Sequence, residues 1–238
     1  MEAQPFTILG TYHLLTLMFI VVLAIFFPLL LKEKSIDLRE HMGFVLAIGI
    51  LSLEFAKPFI WHYPFEYAWI KVIPIHMCNL SAFLIGTFLL TKKRLLYEVA
   101  FFWGMGGGVM ALITPDVAYT FPDPQYIFFF FGHGLLIVVI GYASIALENR
   151  PTLSSVRNGI CFSLITLPVI YLINKILGPS ANYWYLGARP EGQNIMDFLP
   201  DPPMHIPLTI IIGICLFYLI YSPFWIHDRF SKDVESIT

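Results

Sequence analysis

The sequence contains little charge for its length. Only 13% of its 238 residues are charged, whereas 58% are hydrophobic, and the mean hydropathy is +0.74. A water-soluble domain of this size needs many more polar residues to cover its surface. The composition therefore excludes an ordinary soluble globular protein and predicts that most of the surface faces lipid.

Cysteine and clustered basic residues are also scarce. The three cysteines form an odd number and all lie within apolar segments, which argues against a disulfide framework: Cys78, Cys161 and Cys215. The formal net charge is -2, and no block of basic residues is present that could bind the phosphates of a nucleic acid. Nucleic acid is therefore not an expected partner.

Long hydrophobic runs take up most of the chain. Each has about the 20 residues that a membrane-spanning helix needs and is bounded by charge, Pro or Gly. The runs cover residues 11–31, 43–62, 72–91, 97–115, 125–147, 158–177 and 205–226. We predict an all-α, polytopic bundle of about seven helices, forming one transmembrane domain over residues 1–238. The acidic Glu2 and the absence of a small-residue cleavage site indicate that the first run is a retained helix, not a signal peptide.

Lysine and arginine are unequally divided between the two sides of this bundle. Ten lie in the odd-numbered loops and the C-terminal tail, and four lie on the other side. The positive-inside rule then predicts an outer N-terminus and a cytosolic C-terminus, in a cell membrane. The stretch 178–204, rich in Pro, Gly, Asn and aromatic residues, is predicted to be a long extracytoplasmic loop.

Polar and ionisable residues recur at one depth of the predicted bundle. At 1.5 Å per residue, Cys78 and His133 both lie roughly 10 Å below the outer boundary. Glu54 reaches the same layer, and His13 and Asp116 are predicted near the same side. Ionisable residues at membrane depth normally face the bundle interior and mark a site or pathway. This layer is therefore the candidate functional site.

Cys78 differs from the other two cysteines in its surroundings. It lies in the segment IPIHMCNLSAF, with His76 two positions before it and Asn79 directly after it. The other two cysteines have only apolar neighbours, and we assign them to packing. Because a nucleophilic cysteine needs a base and a polar environment, Cys78 is the candidate nucleophile.

Two histidines compete for the role of base. Residues two apart on a helix lie about 200° apart, so His76 faces away from the thiol unless Pro74 distorts the turn. His133, on another helix, fits better, because Gly132 and Gly134 beside it allow a neighbouring backbone to come close. We therefore predict His133 as the base.

Two other kinds of site could use residues of the same layer. A zinc site built from His76, Cys78 and His133 is disfavoured because ligands at i and i+2 converge poorly on a helix. A transporter or receptor would use the polar layer for binding, but the halves of the chain contain no inverted repeat. Neither a metal nor another cofactor is expected.

Several sequence blocks also occur together in a fixed order. They are IPIHMC at 73–78, FFWGMGGGVMALITPD at 101–116, FP at 121–122, FFGHG at 130–134, RPT at 150–152, NY at 182–183, RPEG at 189–192 and MDFLPDPP at 196–203. In these blocks the chain resembles the YwaF-like bacterial integral membrane proteins, which are related to transmembrane protein 164. The resemblance implies a lipid acyltransferase with Cys78 as nucleophile and His133 as the matching histidine. The implied fold is also similar to that of small membrane hydrolases that use a threonine and a histidine.

The resulting hypothesis is a lipid acyltransferase or transacylase acting on phospholipids or lysophospholipids. Cys78 attacks an acyl ester, His133 serves as base and then acid, and an acceptor lipid resolves the thioester. Supporting or substrate-binding roles are predicted for His76, Asn79, Glu54, Asp116 and His13. An intramembrane lipid ester hydrolase with the same dyad stays open, because water in place of the acceptor would need no other residues.

Overall fold

A computed structural model of the protein describes residues 4–189 and 198–235. Over these ranges the regular secondary structure is helical, apart from one isolated β-bridge between Pro5 and Tyr119. The helices, in chain order, are α1 (Thr11–Lys32), α2 (Ile36–His62), α3 (Trp69–Val72), α4 (Met77–Thr91), α5 (Arg94–Trp103), α6 (Val109–Ile113), α7 (Pro124–Ile145), α8 (Leu153–Leu177) and α9 (His205–Glu235). The prediction of an all-α membrane bundle is confirmed.

Six helical stretches in the described part of the chain are long and apolar enough to cross a membrane. They are Thr11–Lys32, Ile36–His62, Arg94–Ile113, Pro124–Ile145, Leu153–Leu177 and His205–Phe230. The seventh predicted span, 72–91, is a broken helix, because α3 ends at Val72 and the 15-residue α4 begins at Met77. Pro74 explains the break, since proline lacks an N–H and pushes the preceding residue out of the helical region; Ile73 has ψ 127°.

Side-chain caps fix where several helices begin. The carboxylate of Asp123 accepts hydrogen bonds from the N–H groups of Gln125 and Tyr126, and Pro124 occupies the first position of α7. Thr152 and Ser155 form a reciprocal capping box at the start of α8. By contrast, α4 begins without any side-chain cap.

The centre of the bundle is formed by α4, α5 and α7. In the stretch Arg94–Ile113, 61% of the apolar window is buried, against 11% for α8 and for α9, which therefore present most of their surface to lipid. Cys161 on α8 and Cys215 on α9 are exposed. Our assignment of these two thiols to packing is therefore wrong: they belong to the outer surface of the bundle.

A π-helical segment, Gly104–Gly108, joins α5 to α6. A Cβ at Gly104 would lie 2.2 Å from Cδ1 of Ile140 and 3.0 Å from the hydroxyl of Ser81, so α5 packs against α4 and α7 at this glycine. A Cβ at Gly107 would lie 3.5 Å from the sulfur of Cys78. Single π turns inside α-helices are frequent at functional sites, and this one runs past the candidate nucleophile.

Candidate active site

A cavity of about 810 Å³ opens inside the bundle, with a wall that is mostly apolar. This volume lies within the range of pockets that enclose small organic ligands. Five of the predicted site residues belong to its lining, namely His76, Cys78, Asn79, Asp116 and His133. His13 and Glu54 lie outside the lining.

Cys78 lies in the first turn of α4, one residue after the helix begins, not six residues into a helix as predicted. The first main-chain bond of this helix runs from the N–H of Leu80 to the carbonyl of His76, at 3.0 Å. The N–H groups of Met77, Cys78 and Asn79 therefore have no acceptor within the helix. A helix N-terminus of this kind favours negative charge, including that of a thiolate.

His76 is the residue directly before α4, and its backbone is extended, with φ -62° and ψ 154°. The helical spacing used to set it aside therefore does not apply, and its ring lines the same cavity as Cys78. The ring contacts two aromatic rings, with centroid distances of 4.8 Å to Tyr183 and 5.9 Å to Tyr185. His76 thus stays a second candidate base.

His133 lies in α7, and its ring also lines the cavity. Its Nδ1 is 3.0 Å from the carbonyl oxygen of Phe129. A carbonyl oxygen can only accept, so Nδ1 donates its proton there and Nε2 of the neutral ring carries the lone pair. Among the described residues, no hydrogen bond joins Cys78 to His133. Catalytic hydrogen bonds are often formed only once substrate is bound, or pass through one water.

A buried polar cluster that the sequence reasoning missed supports the first turn of α4. Glu54, which is 1% exposed, forms an ion pair with Lys57 through one carboxylate oxygen. Its other oxygen accepts a hydrogen bond of 2.8 Å from the side-chain amide of Asn79. Lys57 lines the cavity, and the Glu-x-x-Lys spacing within an apolar run is the signal that could have revealed the pair.

Glycine lets the side chain of Lys57 lie against the helix that carries His133. A Cβ at Gly132 would lie 3.0 Å from Cε and 3.1 Å from Nζ of Lys57. The prediction that Gly132 and Gly134 admit a neighbouring backbone is therefore wrong: side chains approach both glycines, that of Lys57 at Gly132 and that of Ile20 at Gly134. Lys57 thus brings its ammonium group to the cavity that Cys78 and His133 also line.

His13 has a different environment from the one predicted. Its Nδ1 accepts a hydrogen bond of 3.0 Å from the N–H of Leu9, and its Nε2 donates one of 2.8 Å to the carbonyl of Leu112. Both ring nitrogens are thus occupied by main-chain groups that join the start of α1 to α6. Asp116 follows α6 in a loop instead of lying on a helix, and it reaches the cavity wall.

A short aromatic segment, Ala181–Leu186, holds the chain before α4 in place. The indole N–H of Trp184 donates to the carbonyl of Ile75 at 3.0 Å, and the hydroxyl of Tyr183 donates to that of Ile70 at 2.8 Å. His205 holds the other side of the segment, since its Nε2 donates to the carbonyl of Tyr185 at 2.8 Å. This segment belongs to the predicted long loop, of which residues 190–197 lie outside the described part.

Tyr185, whose side chain carries a hydroxyl group, also lines the cavity. Burial raises the pKa of Tyr185, and the negative charge of Asp116 raises it further. The phenol therefore stays protonated at neutral pH and can donate a hydrogen bond to a ligand.

Metal chemistry has no evident support in the arrangement of side chains. Within residues 4–189 and 198–235, no group of three or more His, Cys, Asp or Glu side chains is placed to hold a metal ion. His76, Cys78 and His133 line one cavity without forming such a group. We derive no step through a metal.

The comparison with known families gives one clear result. The model of the TMEM164 family matches residues 8–221, which is most of the chain. Neither the curated proteins nor the solved structures contain a match. The family resemblance seen in the sequence is thereby confirmed.

Proposed function

The chain belongs to the TMEM164 family, and from this membership and the cavity geometry we propose that it is a membrane-embedded lipid acyltransferase. The thiolate of Cys78 attacks the carbonyl carbon of an acyl ester in a phospholipid. A thioester forms, and the lysophospholipid leaves as an alcohol. The hydroxyl of an acceptor lipid then attacks the thioester and restores the thiol.

One observation carries this proposal. Of the three cysteines, all of which the structure describes, Cys78 alone lines the cavity; it lies in an uncapped helical first turn and shares the cavity with a histidine whose Nε2 lone pair is available. His133 takes the thiol proton on Nε2 and gives it to the departing alkoxide. In the second half it takes the proton of the acceptor hydroxyl and returns it to sulfur, so the protons balance.

The developing oxyanion has candidate donors close to the sulfur. The amide N–H groups of Met77, Cys78 and Asn79 have no partner within α4, and they extend from the same helix end as the thiol. The side-chain amide of Asn79 is less suitable, because it already donates to Glu54. Main-chain donors therefore explain the position of Cys78 better than a side-chain donor does.

A trapped acyl-enzyme tests the mechanism. Purified protein is incubated with a phospholipid carrying an isotope-labelled acyl chain, and its intact mass and peptides are measured. We expect one acyl group on Cys78, released by hydroxylamine, and a loss of turnover of at least about 10³-fold in Cys78→Ala. Cys161→Ala and Cys215→Ala are matched controls and should keep activity within a few-fold.

The other outcomes assign other functions. Acyl transfer that persists in a folded Cys78→Ala protein excludes the thiol mechanism. Release of free fatty acid, with no transfer to added lysophospholipid, assigns a hydrolase that uses the same residues. Saturable lipid binding with no acylated enzyme would make the cavity a transport or receptor site.

The leaflet that supplies the substrate follows from the orientation. The ten-to-four bias of Lys and Arg favours an outer N-terminus. Phe6 and Ile8 of the N-terminal segment line the cavity, which then lies toward the outer leaflet. In a Cys78→Ala background, an impermeant thiol reagent added to intact cells should label Ser180→Cys and leave Lys93→Cys unlabelled. The reverse pattern moves the site to the inner leaflet.

A further inference from the structure

Lys57 is a buried cation whose place in the bundle calls for an explanation. Its side chain is 14% exposed, and the side chain of Glu54, the carboxylate with which it forms an ion pair, is buried almost completely. Burying a charged pair at membrane depth costs free energy, and ionisable residues in such a position commonly mark a functional site. The pair also lies beside the candidate nucleophile, not elsewhere in the bundle.

The two members of the ion pair differ in which of them faces the cavity. Glu54 lies behind the cavity wall, and its two oxygens are taken by Lys57 and by Asn79. Lys57 is the member that lines the cavity. The cavity therefore meets the positive end of the pair, while the negative end is enclosed by protein.

Two side-chain contacts link Lys57 to the residue that follows Cys78. Asn79 follows Cys78 in the first turn of α4, and its amide bonds to the carboxylate that also holds Lys57. The same carboxylate thus fixes Lys57 relative to the sulfur. Glu54 opposes Lys57 from behind the cavity wall. The other titratable groups that line the cavity with Cys78 include His76, His133, Tyr185 and Asp116.

We propose that Lys57, positioned by Glu54 and Asn79, stabilises the anionic sulfur of Cys78. The inference deepens the proposed function by adding a third group to the Cys78–His133 pair, and it concerns the reactivity of the thiol before any lipid binds. Opposite charges that face one cavity in a medium of low dielectric constant interact more strongly than they would in water. The first-turn N–H groups of α4 and the ammonium group of Lys57 thus act on the sulfur from different elements.

Alkylation of Cys78 tests this role independently of acyl transfer. In a Cys161→Ser, Cys215→Ser background Cys78 is the single thiol, and its rate of reaction with iodoacetamide at neutral pH measures its thiolate fraction. We expect Lys57→Met to slow alkylation about tenfold or more, and Lys57→Arg to stay within about threefold of the parent. Lys71→Met is the matched control, because Lys71 lines the same cavity but is exposed, and it should leave the rate unchanged.

Two further variants keep the test decisive. If Lys57→Met does not fold, the double variant Glu54→Gln, Lys57→Met removes both charges together, and the same slow alkylation is expected. In a His133→Gln background, Lys57→Met should slow the reaction by a similar factor, since Lys57 acts on sulfur directly. Alkylation at the parental rate in a folded variant without Lys57, or loss of the effect in the His133→Gln background, overturns the proposal.

Because iodoacetamide needs no acyl donor, failure here is distinct from failure of the proposed function. A protein that transfers no acyl group can still have a Cys78 whose reactivity depends on Lys57. Conversely, a protein that forms the thioester can have a Cys78 whose reactivity does not depend on Lys57.

Discussion

Among the residues whose side chains the structure describes, two carboxylates are buried, and they differ in what surrounds them. Glu54 on α2 is 1% exposed and Glu98 on α5 is 5% exposed. Glu98 accepts hydrogen bonds from Arg94 at 3.0 Å, from Ser155 at 2.8 Å and from Asn158 at 2.7 Å. Its side-chain partners on α8 tie that helix to α5.

Their cationic partners make the contrast sharper. The side chain of Arg94 is 52% exposed, so its charge is largely solvated, whereas that of Lys57 is 14% exposed and faces the cavity. The Glu98 carboxylate has a hydrogen-bond partner on each oxygen, and Glu98, Ser155 and Asn158 lie outside the lining of the cavity that Cys78 and His133 share. Burial of a carboxylate therefore does not mark a functional site by itself. The two carboxylates are distinguished by the cation that each one pairs with and by whether that cation faces solvent or the cavity.

Of the substitutions at the two buried carboxylates, Glu54→Gln should have the largest effect on stability and activity. It leaves the ammonium group of Lys57 buried without a counter-charge. We expect the free energy of unfolding to fall by about 3–5 kcal/mol, together with loss of acyl transfer. Denaturation in detergent and single-turnover transfer measure the two effects.

The double variant Glu54→Gln, Lys57→Met separates stability from function at this cluster. With neither charge present, stability should return close to the parental value, because replacing a whole buried ion pair is often neutral. Acyl transfer should stay low. Recovery of transfer along with stability would mean that the pair serves only the fold, as the Glu98 cluster does.

The helices could be predicted from sequence because hydropathy reports them directly. The runs 11–31 and 125–147 match Thr11–Lys32 and Pro124–Ile145 to within two residues. The run 72–91 also looked continuous, but hydropathy does not register the N–H that Pro74 lacks. That break moved Cys78 to a helix N-terminus and made His76 a competitor for the role of base.

The site was only partly predictable, because depth along a helix does not give the direction of a side chain. His13 lies near the expected layer, yet its ring bonds to main-chain groups instead of lining the cavity. Lys57 was treated only as a charge that reports orientation. The i,i+3 spacing on α2 indicates its pairing with Glu54. Its contact with Gly132, however, depends on how α2 packs against α7, and single-sequence patterns do not contain that packing.

Glu98→Gln should have the smaller effect and should affect stability alone. The amide keeps one acceptor oxygen but turns an NH₂ group toward donors, so one of the bonds from Ser155 and Asn158 is lost, at about 1–3 kcal/mol. Arg94 stays solvated, so no buried charge is stranded. The thermal midpoint in detergent should fall, while the alkylation rate of Cys78 and acyl transfer per folded molecule stay at parental values. A change in Cys78 reactivity without a loss of stability would show that the two clusters are coupled across the bundle, and the division between a structural and a functional carboxylate would then fail.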